Sequence, residues 1–175
     1  MNDLDNLAIK YGTDRLGKHN YTPIYYKMFK DQRDAFKKIL EIGVSEGAGL
    51  RMWQDFFPNA NIYGAEIKDE YIFKEGRMEA FKCDASSLSD LESVLNKTGT
   101  DLDLVIDDAS HRTKDQIFTC ETIVPKLQGN FVYVIEDVAW DWIFDELVKK
   151  LPDFDLTMVR AGKRFDDRLI IIRRK

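Results

Sequence analysis

The sequence predicts an α/β fold built on a doubly wound, Rossmann-like and mostly parallel sheet. Short apolar runs of strand length alternate with amphipathic helical segments, and this alternation is typical of right-handed β-α-β crossovers. Apolar residues make up 44% of the 175-residue chain, enough to cover such a sheet on both faces. No linker or internal repeat divides the sequence. We therefore expect one domain over residues 1–175, with residues 1–35 as an N-terminal cap segment and helix.

The N-terminal part is expected to contain a single helix. Residues 1–20 are polar, and an irregular segment is predicted there. A helix should begin at Thr22-Pro23, because threonine can cap a helix and proline suits its first turn. Four apolar residues then recur at helical spacing, and the last three of them should pack in the core. The four are Ile24, Tyr25, Met28 and Phe29.

Seven strands are predicted from apolar runs bounded by turn residues. The earlier strands alternate with helices, whereas only a turn containing Gly162 joins the last two, so the final strand should be antiparallel. The predicted strands cover residues 39–43, 61–67, 78–83, 101–107, 130–136, 154–159 and 168–172. The predicted helices between them cover residues 50–57, 88–96, 114–127 and 142–151.

Charge and composition argue against some classes of binding partner for this protein. The net charge is −5 and the only block of basic residues is 173–175, so a nucleic-acid partner is not expected. The sequence has no charged-then-apolar leader and no long uncharged apolar run, which predicts a soluble cytoplasmic protein without a membrane partner. Cys83 and Cys120 lack metal-ligand spacing and are expected to be free thiols in a reducing compartment.

A glycine-rich turn follows the first predicted strand. The segment Glu41-Ile42-Gly43-Val44-Ser45-Glu46-Gly47-Ala48-Gly49 would let the backbone approach a ligand closely. Its spacing fits the dinucleotide fingerprint badly, and Glu46 is an anion where a pyrophosphate would bind. Glu66, roughly 20 residues after the turn, is placed to accept hydrogen bonds from ribose hydroxyls. Asp84 ends the third strand, where an acid can meet an adenine amino group. Either acid alone could be a solvated strand end, but in this order they favour a nucleoside ligand.

Acidic residues and a histidine follow the next two strands. Ile106-Asp107-Asp108-Ala109-Ser110-His111 closes the fourth strand, and Ile135-Glu136-Asp137 closes the fifth. Ligands of open α/β sheets bind beyond the carboxyl ends of the strands. Like charges repel, so a fold rarely clusters carboxylates unless a cation or a reaction uses them. Asp108, Glu136 and Asp137 provide the oxygen ligands that Mg²⁺ prefers.

These residues suggest a reaction that begins with deprotonation of a hydroxyl group. A divalent cation can bind an acceptor hydroxyl and lower its pKa. His111, three residues after Asp108, is then placed to accept the proton, because its ordinary pKa of about 6.5 suits neutral pH. A lone histidine is more often a surface or core residue, and the neighbouring carboxylates favour the catalytic interpretation. A nucleotide-binding module without catalysis would leave this cluster unexplained. A nicotinamide-dependent oxidoreductase is disfavoured by the glycine spacing.

Together these motifs resemble the class I S-adenosylmethionine-dependent methyltransferases, and within them the metal-dependent macrolide sugar O-methyltransferases and their cephalosporin-hydroxylase-like relatives. The likeness runs from residue 11 to about residue 172. It rests on Tyr11-Gly12-Thr13-Asp14 with His19 and Tyr21, Leu40 to Val44 leading to Trp53, Tyr63-Gly64-Ala65-Glu66-Ile67, and the two acidic motifs. Family members usually carry Asp at the position of Glu66. The chain is also short between Asp137 and the last predicted strands, so a cap over the acceptor must be small or come from the N-terminus or another subunit.

The resemblance implies an O-methyltransferase that uses S-adenosylmethionine and Mg²⁺ or Mn²⁺ to methylate a hydroxyl of a sugar, glycoside or glycan, and it allows a homo-oligomer. A non-sugar hydroxyl such as a catechol would satisfy the same chemistry. The implied cofactor-binding residues are Thr13, Glu41, Gly43, Ser45, Gly47, Glu66, Ile67, Asp84, Ala85 and Asp107. The implied catalytic residues are His111 and Asp108, and the implied metal ligands are Asp108, Glu136 and Asp137. The candidate acceptor contacts are His19, Tyr21 and Trp140, the last of which could stack on a sugar ring.

Overall fold

The computed structural model describes residues 1–175 and confirms the predicted fold class, with one more strand than expected. A mixed sheet of eight strands forms the centre of the molecule. The strands are β1 (Lys38–Ile42), β2 (Asn61–Glu66), β3 (Lys74–Glu75), β4 (Met78–Lys82), β5 (Leu104–Asp107), β6 (Val132–Ile135), β7 (Phe154–Arg160) and β8 (Arg168–Arg174). Their order in the sheet is β3-β4-β2-β1-β5-β6-β8-β7. The five strands from β4 to β6 in this order run parallel, and β8 pairs antiparallel with both β6 and β7.

Six α-helices cover the sheet, three on each face. They are α1 (Asp3–Tyr11), α2 (Thr22–Phe29), α3 (Ala48–Phe56), α4 (Leu88–Thr98), α5 (Thr113–Ile123) and α6 (Trp142–Lys150). Helices α1 to α3 pack in one apolar cluster and α4 to α6 in the other. The strand residues alternate between them: in β1, Ile39 belongs to the first cluster and Leu40 to the second. This alternation follows from the two-residue repeat of a β-strand.

The parallel register brings the sequence motifs together at one edge of the sheet. Ile42 at the end of β1 pairs with Asp107 of β5, and Asp107 pairs with Ile135 of β6. The residues that follow these ends are therefore neighbours: Gly43 begins the glycine turn, Asp108 follows β5 and Glu136 follows β6. Each lies just beyond the carboxyl end of its strand, where open α/β sheets bind ligands.

The prediction that residues 1–20 are irregular was wrong, because α1 lies within them. Local hydrogen bonds start and stop this short helix. Asn2 and Asp5 form a reciprocal capping box at its beginning, and Gly12 ends it in the left-handed conformation with φ of 70°. Thr22 does not cap α2 as expected, since its hydroxyl donates to Asp5 at 2.6 Å instead. Helix α1 is thereby joined to α2 through a buried polar contact.

The prediction that only the last two strands lack an intervening helix was also wrong. A single 3₁₀ turn, Asp69–Tyr71, follows β2, and the two-residue strand β3 then pairs antiparallel with β4. Two residues are too few for periodicity to mark a strand. Helix α5 also ends earlier than predicted, at Ile123, because Pro125 continues the chain as a short 3₁₀ turn. None of the six helices combines the length and the apolar composition that a membrane-spanning helix requires. Cys83 and Cys120 are buried free thiols.

Gly43 is the position where the backbone geometry excludes a side chain. Its φ is +90°, and a Cβ placed there would overlap the backbone of Asp108 and approach the Cα of Ala109 to 2.7 Å. Gly43→Ala should therefore lower the free energy of unfolding by about 2–5 kcal/mol, from the left-handed backbone and the overlap together. Gly129 also has a positive φ, 68°, but open space around it. Gly129→Ala is the matched control and should cost only about 1–2 kcal/mol in urea unfolding. Equal losses would contradict this account of Gly43.

Candidate active site

A cleft of about 580 Å³ lies along the carboxyl ends of β1, β2, β4 and β5. Eight of the ten predicted cofactor-binding residues line it: Thr13, Glu41, Gly43, Ser45, Glu66, Ile67, Asp84 and Ala85. The two others do not line it. Gly47 is the residue before α3, and Asp107 is buried with its carboxylate accepting a hydrogen bond from Tyr133 at 3.2 Å. Burial raises the pKa of Asp107 to about 7. Asp108 and His111 line the cleft from its other end.

Glu66 holds the glycine turn in shape. Its Oε2 accepts hydrogen bonds from the backbone N–H groups of Val44 and Ser45 at 2.9 and 2.8 Å, and its Oε1 accepts one from Lys68 at 2.9 Å. Ser45 has a positive φ of 49°, so the turn adopts a conformation that needs such support. Binding of a ribose by Glu66 stays a prediction, and the carboxylate has a structural role as well.

Asp84 lies on the far side of the cleft. Its carboxylate accepts hydrogen bonds from the backbone and the hydroxyl of Ser86, at 2.8 and 2.6 Å, and these bonds lower its pKa. The group is therefore ionised at neutral pH and able to accept a hydrogen bond from an amino group.

Asp108 and His111 at the other end of the cleft form an acidic centre with the buried Asp137. His111 Nε2 is 2.9 Å from Asp108 Oδ1, and His111 Nδ1 is 3.4 Å from Asp137 Oδ2. One ligand atom from each residue falls within 4.8 Å of the others, close enough to share a metal ion. His111 and Asp137 both have positive φ values, 55° and 53°. A non-glycine residue in this conformation stores strain, which clusters at functional sites.

The charges of this centre act on His111. Its hydrogen bond with Asp108 is the main cause that raises its pKa to about 9, and the charges of Asp137 and Glu136 add to the effect. The imidazole therefore carries a proton at neutral pH when these carboxylates are its only charged partners. A cation on the same carboxylates would oppose this effect and favour the neutral imidazole.

Glu136 points away from the acidic centre. Its carboxylate accepts hydrogen bonds from Arg15 Nε, at 2.9 and 3.0 Å, and from the Tyr25 hydroxyl. Of the three predicted metal ligands, the structure thus brings Asp108 and Asp137 together and pairs Glu136 with arginine. Burial raises the pKa of Glu136, and the charge of Arg15 opposes that shift. Glu136 remains a metal ligand by prediction only.

Arg15 is the site residue that sequence reasoning missed. Its side chain is buried, and its Nη2 lies 2.9 Å from Asp108 Oδ2 and 3.5 Å from Glu41 Oε1, while its Nε contacts Glu136. One guanidinium therefore contacts acids near the carboxyl ends of three adjacent strands, β1, β5 and β6. Its Nη1 makes no hydrogen bond within the protein and faces the cleft, which Arg15 lines. The two acidic motifs, residues 106–111 and 135–137, contain no lysine or arginine. This could have indicated that a basic residue from elsewhere in the chain pairs with them.

Gly49 and Trp53 on α3 complete the surroundings of Arg15 and Glu41. Trp53 Nε1 donates to Glu41 Oε2 at 2.6 Å, and the indole ring lies 5.4 Å from the guanidinium carbon of Arg15. A Cβ at Gly49 would stand 2.7 Å from Arg15 Nη1, so glycine permits the ion pair to approach the helix. Burial raises the pKa of Glu41 to about 7.

The three candidate acceptor contacts differ in position. His19 and Tyr21 are buried behind the acidic centre, and the Tyr21 hydroxyl donates to Asp137 Oδ1 at 2.7 Å. Trp140 is 58% exposed in the loop that follows Asp137. Contact between these three residues and an acceptor stays a prediction. Trp140 is the best placed of them for such a contact, because it is exposed.

Comparison with known sequences identifies sugar O-methyltransferases as relatives. The chain is 33% identical over 142 residues to the 8-demethyl-8-α-L-rhamnosyl tetracenomycin-C 2′-O-methyltransferase of Streptomyces olivaceus, covering 77% of this chain and 37% of that protein. It is 34% identical over 144 residues to the mycinamicin VI 2″-O-methyltransferase of Micromonospora griseorubida, covering 78% and 36%. The chain thus spans little more than a third of the length of these relatives. No protein-family model matches it.

Solved structures give the same family and fold. The MycE methyltransferase of the mycinamycin pathway, in complex with Mg, SAH and mycinamycin VI, superposes with a TM-score of 0.82 and 27% identity, covering 99% of this chain and 54% of that one. An O-methyltransferase from Bacillus cereus in complex with SAH has a TM-score of 0.68 at 16% identity, covering 98% and 90%, and supports the fold alone.

The raised pKa values predict how stability depends on pH. Glu41, Asp107 and His111 all have a pKa above the ordinary value, so the folded chain binds these protons more tightly than the unfolded chain. Their contribution is complete below the unfolded pKa and is lost as the pH rises through the folded pKa. In EDTA, the melting temperature should therefore fall between pH 6 and pH 9. His111→Gln should flatten the part of the slope above pH 7. A melting temperature that rises over this window would contradict the assignment.

Proposed function

Because the chain belongs to the class I S-adenosylmethionine-dependent methyltransferases, we propose that it transfers a methyl group from S-adenosylmethionine to a hydroxyl of a sugar or glycoside with the help of a divalent metal ion. One observation carries the proposal. The glycine-turn cleft and the acidic centre of Asp108, His111 and Asp137 share one edge of the sheet, so a methyl donor and an acceptor can meet there. The alternative of a nicotinamide-dependent oxidoreductase has no support among the relatives.

The cleft would offer partners to the ribose, the adenine and the amino-acid end of S-adenosylmethionine. Its volume lies within the usual range of small-molecule sites, roughly 300–1,000 Å³. Glu66 would accept hydrogen bonds from the ribose, and Asp84 one from the adenine amino group. At the methionine end, Glu41 would face the ammonium group, and the free Nη1 of Arg15 would donate to the carboxylate. The amino-acid end would then lie next to the acidic centre.

The acidic centre suits Mg²⁺ or Mn²⁺. Asp108 and Asp137 provide carboxylate oxygens, and Arg15 is the only lysine or arginine that lies within 4 Å of either carboxylate. Bound there, the cation would supply the Lewis acidity that lowers the pKa of an acceptor hydroxyl. His111 would then accept the proton of that hydroxyl through Nδ1, which makes no hydrogen bond in the structure, because Nε2 is bonded to Asp108.

A sugar hydroxyl is the proposed acceptor, on a small-molecule glycoside or a glycan. One relative is named for 2′-O-methylation of a rhamnosyl tetracenomycin and another for 2″-O-methylation of mycinamicin VI. The hydroxyl group of a sugar also gains most from metal activation, because its pKa is high. A catechol would satisfy the same chemistry. Trp140 offers an exposed indole face for stacking on a sugar ring. A homo-oligomer, in which a second subunit covers the acceptor, also belongs to this proposal.

Cofactor binding is tested with S-adenosylhomocysteine. The wild type should bind it in calorimetry and gain thermal stability, whereas NAD should produce neither effect. Glu66→Ala should weaken the binding by about tenfold or more, because charge-assisted hydrogen bonds to the ribose are lost. Glu66→Asp, which keeps the charge, is the matched control and should retain most of the affinity. Wild-type protein that fails to bind S-adenosylhomocysteine would refute the proposed activity.

Turnover should depend on both the metal and His111. With labelled S-adenosylmethionine and a panel of L-rhamnosides and macrolide glycosides, EDTA should abolish methyl transfer and Mg²⁺ should restore it. His111→Ala should lower kcat by roughly 10²–10⁴-fold and leave the affinity for S-adenosylhomocysteine nearly unchanged. The rate should climb with pH as the imidazole of His111 loses its proton.

Three results would contradict these roles. Full activity in excess EDTA, or in Asp108→Ala, would remove the metal from the reaction. A wild-type rate in His111→Ala would refute the base. Methyl transfer confined to protein or nucleic acid would refute the substrate class.

A further inference from the structure

A second group of potential metal ligands lies behind the acidic centre. It consists of His19, Asp137 and Asp166, and one ligand atom from each falls within 4.8 Å of the others. His19 comes from the segment between α1 and α2, and Asp166 from the loop between β7 and β8. The two groups share Asp137, which follows β6 directly. None of the relatives' names assigns a role to this second group.

His19 has an unpartnered nitrogen that faces this group. The residue is only 2% exposed, and its Nδ1 lies 2.7 Å from Asp167 Oδ1. A neutral imidazole therefore keeps its proton on Nδ1 and presents a bare lone pair at Nε2. That nitrogen has no hydrogen-bond partner and lies 3.6 Å from Asp137 Oδ2. A buried lone pair opposite a carboxylate oxygen is unfavourable unless a positive charge lies between them.

The distance between the two atoms suits a shared cation. A separation of 3.6 Å is too long for a hydrogen bond. Two ligands that each lie about 2.0–2.2 Å from one metal ion are themselves separated by about 3–3.6 Å. The gap between His19 Nε2 and Asp137 Oδ2 is therefore one that a metal ion can bridge with little movement.

The surroundings of His19 already have the form of a metal site. Histidine ligands of metal ions usually donate their other N–H to a carboxylate, which fixes the ring and its tautomer. Asp167 has that position. It is itself held by the backbone N–H of Arg164 at 2.8 Å, and Gly162 makes room for it, since a Cβ there would stand 2.9 Å from the Asp167 carboxyl carbon. These contacts in the loop between β7 and β8 hold the Asp167 carboxylate against His19.

We propose that His19 Nε2, Asp137 and Asp166 bind a second divalent cation, with Asp137 shared between it and the acidic centre. The imidazole ligand favours a transition metal such as Zn²⁺ or Mn²⁺ over Mg²⁺. Asp166 pairs with Arg164 at 3.1 Å, and that arginine is largely exposed, so its side chain can move into solvent when the ion binds. The cation would fix the β7–β8 loop against the acidic centre. This site stands on its own geometry and does not depend on the proposed methyl transfer.

Metal stoichiometry tests the proposal. Metal-stripped protein is dialysed against Zn²⁺, and the bound zinc is measured by elemental analysis. The wild type should bind two equivalents. His19→Gln and Asp166→Asn should each bind one, and so should Asp108→Asn, which removes a ligand of the acidic centre and none of the second group. Asp155→Asn changes an exposed carboxylate on β7 and is the matched control that should still bind two.

Histidine nitrogen NMR provides a readout that leaves the second site intact. The chain has only two histidines, so in His111→Gln the single imidazole is that of His19. Zn²⁺ should shift the Nε2 resonance of this variant and leave Nδ1 protonated, and Asp166→Asn in the same background should reduce the shift.

Two outcomes would overturn the inference. One is a single zinc equivalent in the wild type. The other is an Nε2 resonance in His111→Gln that Zn²⁺ does not move. Neither measurement uses S-adenosylmethionine or an acceptor, so failure here is distinct from failure of the proposed function.

Discussion

The buried guanidinium of Arg15 is the interaction on which the rest of the site depends. Three carboxylates, those of Glu41, Asp108 and Glu136, converge on it from neighbouring strands. Removing one partner of a buried charge cluster typically costs about 3–5 kcal/mol, because the remaining charges stay buried without compensation. Since Arg15 lies in the segment after α1, this interaction also fixes the N-terminal segment over the carboxyl ends of the strands. The same segment supplies Thr13 and Asp14 to the cleft wall.

The packing around this cation explains several features that would otherwise look unrelated. Gly49 in the first turn of α3 leaves room for Arg15, Trp53 one turn later donates to Glu41, and Tyr25 on α2 donates to Glu136. Elements on one face of the sheet are thus joined to the strand ends through polar contacts buried inside the apolar cluster. Such networks are stable only when every member has a partner, and here each carboxylate has at least one.

The sequence predicted the fold and the location of the site because both depend on local patterns. Apolar runs mark the buried strands, and the acids that end those runs meet at one edge whenever the strands are parallel. The sequence did not predict α1, because its stabilising signal is a polar capping box and its buried face is short, with Leu4 and Ala8 as its apolar members. It also missed Arg15 and the orientation of Glu136, since their contact joins residues 121 positions apart and no spacing rule reaches that far. The pairing of His19 with Asp167 was missed for the same reason.

The left-handed backbone at His111 and Asp137 sets stability against the identity of the side chain at these two positions. Glycine or asparagine would relax the strained conformation at either position, so a substitution there can raise thermal stability while it removes an imidazole or a carboxylate. Selection for robustness alone would thus erode these two positions. A variant library sorted only for heat resistance should be enriched in small or amide side chains there, and its members would be well folded but would lack the imidazole or the carboxylate.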